Sequence, residues 1–203
     1  MIVERSMHPE WLSNAYLVAD RSGGNAVFVD SGGPIEPLIS AVDRLEVQVT
    51  HLLTTHAHSD HVANHEELER RFGVAILADP RENVAGAEPL AHGDVIELGE
   101  LRIECLRTPG HSPGMLSFVA DGEACFTGDT LFAGSVGGTM DGFDDLRRST
   151  GLQRLGAMVS LDVLTEEDLA GFQPEVRDAA RELRQVFAPQ GRRPPATRRR
   201  DPG

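Results

Sequence analysis

The sequence predicts an α/β fold in which helices pack outside stacked sheets and the chemistry sits on loops along one strand edge. Three observations point there. Short strand-like runs punctuated by Gly/Pro turns alternate with a few helical stretches up to about Ser149. Four of those runs lead into a turn that carries a His or an Asp: Asp30, His56, His111 and Asp129. At 203 residues and 40% hydrophobic content, the chain has the length of one ordinary domain and can bury a sizeable core.

The elements follow in order. Residues 14–18 and 25–30 read as paired strands across the turn Ser22-Gly23-Gly24. A helix is expected over 34–45, opening near Pro34, and an apolar strand over 47–54. Helical character resumes over 63–72, and 74–77 returns to strand. Residues 95–98, 101–106, 115–119 and 124–127 form a run of strands with tight connections. Beyond residue 149 the text changes. Residues 150–187 read as an atypical helical segment, with helices expected over 165–169 and 175–187. Residues 188–203 are rich in Pro, Gly and Arg and poor in apolar residues, which predicts a disordered tail with Arg198, Arg199 and Arg200 solvated.

Charge draws the same boundary. The net charge is −13, yet residues 1–150 hold 10 Arg against 24 acids and residues 151–203 hold 9 against 8. Such acidity argues against a nucleic-acid or anionic-membrane surface, so no partner of either kind is expected. All 19 basic residues are Arg, a skew that reflects a GC-rich coding sequence more than a function. The segment from Met1 to Trp11 has no apolar run of signal-peptide length. Cys105 and Cys125 lie in apolar strands without metal-type spacing, and they are expected to be buried reduced thiols of a cytoplasmic protein.

The chemistry begins at His56-Ala57-His58-Ser59-Asp60-His61, where three of the eight histidines and a carboxylate share six positions. Crowded imidazoles repel on protonation and bury poorly unless a cation organises them, and His and Asp are the ligands of catalytic zinc and iron. His56 and His58 start one metal set, and Asp60 and His61 start another. His111 sits in Thr108-Pro109-Gly110-His111-Ser112-Pro113-Gly114, a sharply turned loop that lets a ligand project. Asp129, in Thr127-Gly128-Asp129-Thr130-Leu131-Phe132, either caps its turn or bridges two cations. Asp30, before Ser31-Gly32-Gly33, either caps its turn or supports a ligand loop or an imidazole N–H from behind the metal.

These four motifs, in this order over residues 2–149, resemble the metallo-β-lactamase superfamily. His61 directly after Asp60, and the wording of 128–132, look most like its glyoxalase II branch, the hydroxyacylglutathione hydrolases. The resemblance implies an αββα sandwich with a two-metal site at the sheet edge. It implies that His56, His58 and His111 hold the first metal, that Asp60 and His61 hold the second, and that Asp129 bridges them. The family also supplies a later histidine to the second metal, but no histidine follows His111 here. His65, on an expected helix four positions beyond His61, is a poor substitute. His51 and His92 are expected to be structural or exposed, and His8 has no assignable place. The missing ligand and the shift in composition at 149–150 suggest that residues 150–203 arose by a reading-frame change or by re-extension of a truncated gene.

The activity this implies is metal-dependent hydrolysis of a small-molecule thioester or thiol conjugate, with zinc as the expected metal, two per chain if the second site is intact, and Fe2+ as the alternative. Asp60 is the expected catalytic residue, orienting the attacking water as well as holding the second metal. A thiolate leaves readily because a free thiol has a pKa of about 8.5, so a weakly held second metal is tolerable in this reaction. The runner-up is a persulfide dioxygenase with one Fe(II) held by His56, His111 and Asp129. A third reading is a metal-binding remnant without turnover. A β-lactamase proper is disfavoured by His61, and an RNA-processing nuclease by the acidic charge and Ser59. Residues 132–148 resemble a pocket-lining loop of shorter relatives, and Arg147 and Arg148 on it are expected to be solvated.

Overall fold

The structure is a computed structural model that describes residues 1–132, 135–138, 177, 178 and 181. The expected helical segment over 150–187, apart from those three positions, and the expected tail over 188–203 lie outside the described residues.

Six strands form the first sheet: β1 (Ile2–Met7), β2 (Asn14–Ala19), β3 (Asn25–Val29), β4 (Gln48–Leu53), β5 (Ala75–Ala78) and β6 (Glu88–Pro89), in spatial order β1-β2-β3-β4-β5-β6. The first three run antiparallel as a meander, and from β3 to β6 the strands are parallel. Parallel neighbours need a crossover, and helices supply it. Helix α1 (Glu36–Leu45) joins β3 to β4, while α2 (Ser59–Val62) and α3 (His65–Phe72) join β4 to β5. α1 starts two residues later than the sequence suggests, with Pro37 in its first turn, where a missing N–H costs nothing. It buries Leu38, Ile39, Ala41 and Val42 on one face, the i, i+1, i+3, i+4 stripe of an amphipathic helix.

The expected helix over 63–72 begins differently. α2 makes one turn, the chain breaks at Ala63–Asn64, and α3 starts at His65. Asn64 is drawn out of helical service because its side-chain amide donates to Ser31 O (2.6 Å) and Gly33 O (3.1 Å).

The second sheet contains β7 (Val95–Leu98), β8 (Leu101–Arg107), β9 (Leu116–Ala120) and β10 (Ala124–Phe126), an antiparallel set in spatial order β10-β9-β8-β7. A small hairpin follows, β11 (Leu131–Phe132) with β12 (Ser135–Val136). Two cores hold the layers together. Phe28, Leu52 and Ile76 of the first sheet meet Leu38 of α1 and Leu68 of α3 on one face. On the other face Val27, Val29 and Leu53 meet Ile103, Leu116 and Phe118 of the second sheet. The described residues thus form helix, sheet and sheet layers of the expected sandwich. Cys105 is buried and Cys125 half-buried, both unpaired, and burial pushes each thiol up to about 12.

Candidate metal centre

The site collects where several strands end. β3 ends into Asp30, and its parallel neighbour β4 ends into Thr54, Thr55 and the histidine cluster. The C-terminal edge of parallel strands is where open α/β sheets place ligands. From the second sheet, β8 leads into the loop of His111 and β10 into Asp129. A buried hydroxyl chain, Thr108 Oγ1 to Ser117 Oγ and to Thr130 Oγ1 at 2.9 Å each, ties those two arrivals together. On the first sheet the Ser31-Gly32 turn lies directly against the cluster. A Cβ on Gly32 would sit 1.5 Å from Asp60 O, so only glycine fits.

Two constellations result. Nε2 of His56 lies 3.0 Å from Nδ1 of His58, which lies 2.8 Å from Nε2 of His111. Beside them, Nε2 of His61 lies 3.2 Å from Asp129 Oδ1 and 3.6 Å from Asp60 Oδ2. Asp129 spans the two sets, because its other oxygen, Oδ2, is 3.4 Å from His111 Nε2. His56, His58 and His111 form one group with metal-ligand spacing, and His56, His61 and Asp129 form another. All six residues expected from the sequence come together, although Asp60 joins through its distance to His61 rather than as a member of either group.

The hydrogen bonds behind the rings decide which nitrogen carries the lone pair. Asp30 Oδ2 accepts from His61 Nδ1–H at 2.8 Å, which makes His61 Nε2 the nitrogen aimed into the site, where a bound cation would take the place of its proton. That atom is buried and makes no hydrogen bond, an expensive arrangement unless something else binds it. Thr55 Oγ1 donates to Asp30 Oδ2 (2.7 Å) and stands 3.1 Å from His56 Nδ1, so it can accept that proton and free His56 Nε2. Asp30 Oδ1 takes the Thr55 backbone N–H at 2.8 Å. His111 Nδ1–H donates to Gly138 O at 2.7 Å, which frees its Nε2. His56 and His111 so arranged turn their Nε2 atoms toward His58 Nδ1, while His61 turns its Nε2 toward Asp129. Each group thus offers donor atoms of the kind a divalent cation takes.

Electrostatics fits the same use. Burial, aided by the neighbouring His61, pushes His56 down to about 3, so its ring is neutral and available as a ligand near neutral pH. Burial and His111 lower His58 as well. Burial also disfavours charge on His61, but Asp30 and Asp129 overcome it and push its pKa up to about 10. Burial would raise Asp129, and His61 more than cancels it, holding the carboxyl below its usual range. The residues present therefore suit a cation: the His56 ring is neutral, and Asp30 and Asp129 already hold positive charge at His61, which a bound cation would supply in place of the proton.

The remaining histidines are structural. His65 is buried between Ser31 Oγ (2.6 Å) and Thr54 Oγ1 (2.7 Å), one layer behind the site, and burial lowers its pKa to about 4. His8 Nδ1 caps a turn by accepting from the Glu10 and Trp11 N–H groups. His51 pairs with Thr50 Oγ1, and His92 accepts from the Arg107 N–H. Sequence reasoning missed Ser31, Thr54, Thr55 and Glu82. The threonines immediately before the cluster were the one available signal, since a hydroxyl there lies within reach of the first imidazole. Beside Asp30, His61 and Asp129 opens a cavity of about 570 Å3, with Tyr16 in its wall and exposed Trp11 and Phe132 at its lip. Arg147 and Arg148 and most of the expected pocket loop over 132–148 lie outside the described residues.

Fold and site together define a β-sandwich with a His/Asp cluster of metal-ligand spacing on its strand-edge loops. Residues 8–165 match the Metallo-beta-lactamase superfamily, and the chain belongs to it. A hydroxyacylglutathione hydrolase of Rhizobium meliloti (strain 1021) is 34% identical over 134 residues, 64% of this chain and 52% of that protein. The chain therefore spans about half the length of the curated relatives it matches. Among solved structures, ETHE1 from Myxococcus xanthus is 26% identical with a TM-score of 0.66, covering 79% of this chain and 70% of that one. TTHA1623, solved in a di-iron-bound form, is 28% identical with a TM-score of 0.62, covering 75% of this chain and 85% of that one.

Proposed function

We propose that this superfamily hydrolase cleaves the thioester bond of a small acyl-thiol, in the manner of glyoxalase II. One observation carries the reading: the two oxygens of Asp129 face His111 at 3.4 Å and His61 at 3.2 Å, the arrangement of a carboxylate shared between two cations. His56, His58 and His111 would hold one, and His61 with Asp60 the other. Bound there, divalent cations acidify water and polarise a carbonyl oxygen, the two requirements of acyl transfer to water. The chain's own residues do the rest. Asp60, beside His61 at the site's rim, orients the attacking water and takes up its proton. Asp30 keeps the proton of His61 on Nδ1, away from the reacting side. The adjoining cavity holds the acyl-thiol against Asp129, and the thiolate departs without a strong acid because of its low pKa.

The likeness to hydroxyacylglutathione hydrolases supports glutathione as the thiol, the imidazole and carboxylate donors suit zinc, and the di-iron form of TTHA1623 keeps iron open as the cation. A second reading, thiol oxygenation at one iron held by His56, His111 and Asp129, is favoured by the approach of His111 Nε2 to Asp129 Oδ2. It ranks behind because His58 and His61 turn equally into the site. The test is loss of the thioester absorbance of an acyl-glutathione, with and without a chelator. Chelator-sensitive hydrolysis that disappears in Asp129→Ala is expected. Full activity in that variant would overturn the site assignment.

A further inference from the structure

Glu82 belongs to no motif, yet its carboxylate lies between the two loops that carry the first histidine set. It ends a short 3-10 turn, Pro80–Glu82, whose entry is capped by Asp79 accepting the Arg81 N–H. The side chain is buried, 9% exposed, and has no ion-pair partner among the described residues. Its partners are three hydrogen-bond donors. Oε2 accepts the Ala57 backbone N–H at 2.9 Å. Oε1 accepts the Ser112 hydroxyl at 2.6 Å and the Gly114 N–H at 2.7 Å. Ala57 separates His56 from His58, and Ser112 directly follows His111.

We infer that Glu82 is a positioning residue for the metal centre: it pins the 56–58 loop to the 108–114 loop so that His56, His58 and His111 converge on one point. The inference rests on the metal-centre reading proposed above. Elsewhere the roots of the two loops are joined by the backbone bond from Leu116 N to Thr55 O, 2.9 Å. Glu82 joins them beside the ligands themselves. The neighbouring residues are built around it. A Cβ on Gly114 would lie 2.9 Å from Glu82 Cγ and Oε1 and 3.0 Å from Asp79 Oδ1, so any larger residue there would push the carboxylate aside. The Arg107 guanidinium donates to Pro113 O at 3.1 Å and lies 3.9 Å from Asp79, holding the same loop from its outer side. Without Glu82, three donors lose their acceptor and His111 loses its link to the 56–58 loop beside the ligands. Supports behind a metal's ligands are typically worth roughly 10–100-fold in metal affinity.

The test uses the full chain, stripped of metal and titrated with cobalt(II) and zinc(II) against a competing chelator. Wild type is compared with Glu82→Ala, Glu82→Gln and Ser112→Ala, and each protein's metal-free unfolding midpoint is recorded. Affinity for the three-histidine set is expected to fall roughly 10–100-fold in Glu82→Ala, with altered cobalt(II) visible bands. The loss should be smaller in Glu82→Gln, which keeps one acceptor oxygen, and in Ser112→Ala, which removes one donor. Wild-type affinity and an unchanged cobalt spectrum in the folded variants would overturn the inference, even with a lowered midpoint, because the role would then be stability alone. If Glu82→Ala does not fold, Glu82→Gln and Ser112→Ala decide on the same criterion. Failure of the wild type to bind either metal would overturn the metal-centre reading and this inference with it. Normal wild-type binding with unchanged variants overturns this inference alone.

Discussion

Replacing Asp30 by Asn keeps the shape of the side chain and removes its charge. Asp30 adopts a positive φ of 57°. Asn tolerates that region well, so the exchange adds little backbone strain. The cost lies in hydrogen bonds. Asp30 accepts three, from the Thr55 N–H, the Thr55 hydroxyl and His61 Nδ1–H. With the amide nitrogen at the Oδ1 position, it opposes the Thr55 N–H. With the nitrogen at the Oδ2 position, it donates to His61 Nδ1, which then becomes an acceptor and sends its proton to Nε2. That is the nitrogen turned toward Asp60 and Asp129, and a cation can bind it only if the ring's remaining proton sits on Nδ1, which the amide N–H then opposes. Outer supports of this kind are worth roughly 10–100-fold in metal affinity, about 1.4–2.7 kcal/mol. Zinc titration against a chelator should show the His61 set weakened by that factor and the three-histidine set affected less. Equal wild-type affinity at both sets in Asp30→Asn would refute the tautomer argument.

Other outcomes follow from the same structure. His65 is buried, and its pKa of about 4 lies below the 6.5 of an unfolded chain, so unfolding takes up a proton between those values. Its contribution is fully present above pH 6.5 and is lost as pH falls toward 4, by about 3 kcal/mol relative to His65→Gln. Urea unfolding of both metal-free proteins across that window measures it, and parallel pH curves would contradict it. Phe118→Ala empties a fully buried ring between the sheets and should cost about 3–5 kcal/mol in the same assay. Gly32→Ala places a methyl group against the Asp60 carbonyl and should lower both the unfolding midpoint and zinc binding at the His61 set, read by thermal melts and metal titration.

What was legible in the sequence had either a period or a crowd. Three imidazoles within six residues at a strand end announce a metal, and the strand-then-glycine pattern picks out Asp30 and Asp129 without knowledge of what they face. The buried strands of the two sheets declare themselves as apolar runs. β1 did not, because Ile2–Met7 is an edge strand with alternating exposure and reads as polar text. β6 is two residues long and carries no pattern at all. The break between α2 and α3 depends on a side chain, Asn64, reaching a turn more than thirty residues earlier, and periodicity cannot report that. Thr55 and Glu82 are similar cases. Each acts through partners distant in sequence, 25 residues for Thr55 to Asp30 and 32 for Glu82 to Gly114. A lone threonine or glutamate in a loop looks like any solvated residue until the fold brings its partners to it.

Two sets of side chains joined by Asp129 would hold two metals. Metal content by plasma mass spectrometry decides this, on the 203-residue chain purified without chelators or added metal, beside Asp129→Ala. About two divalent cations per wild-type chain are expected, with a clear loss in the variant. A wild-type protein with at most one metal, or a variant that retains both, would contradict it.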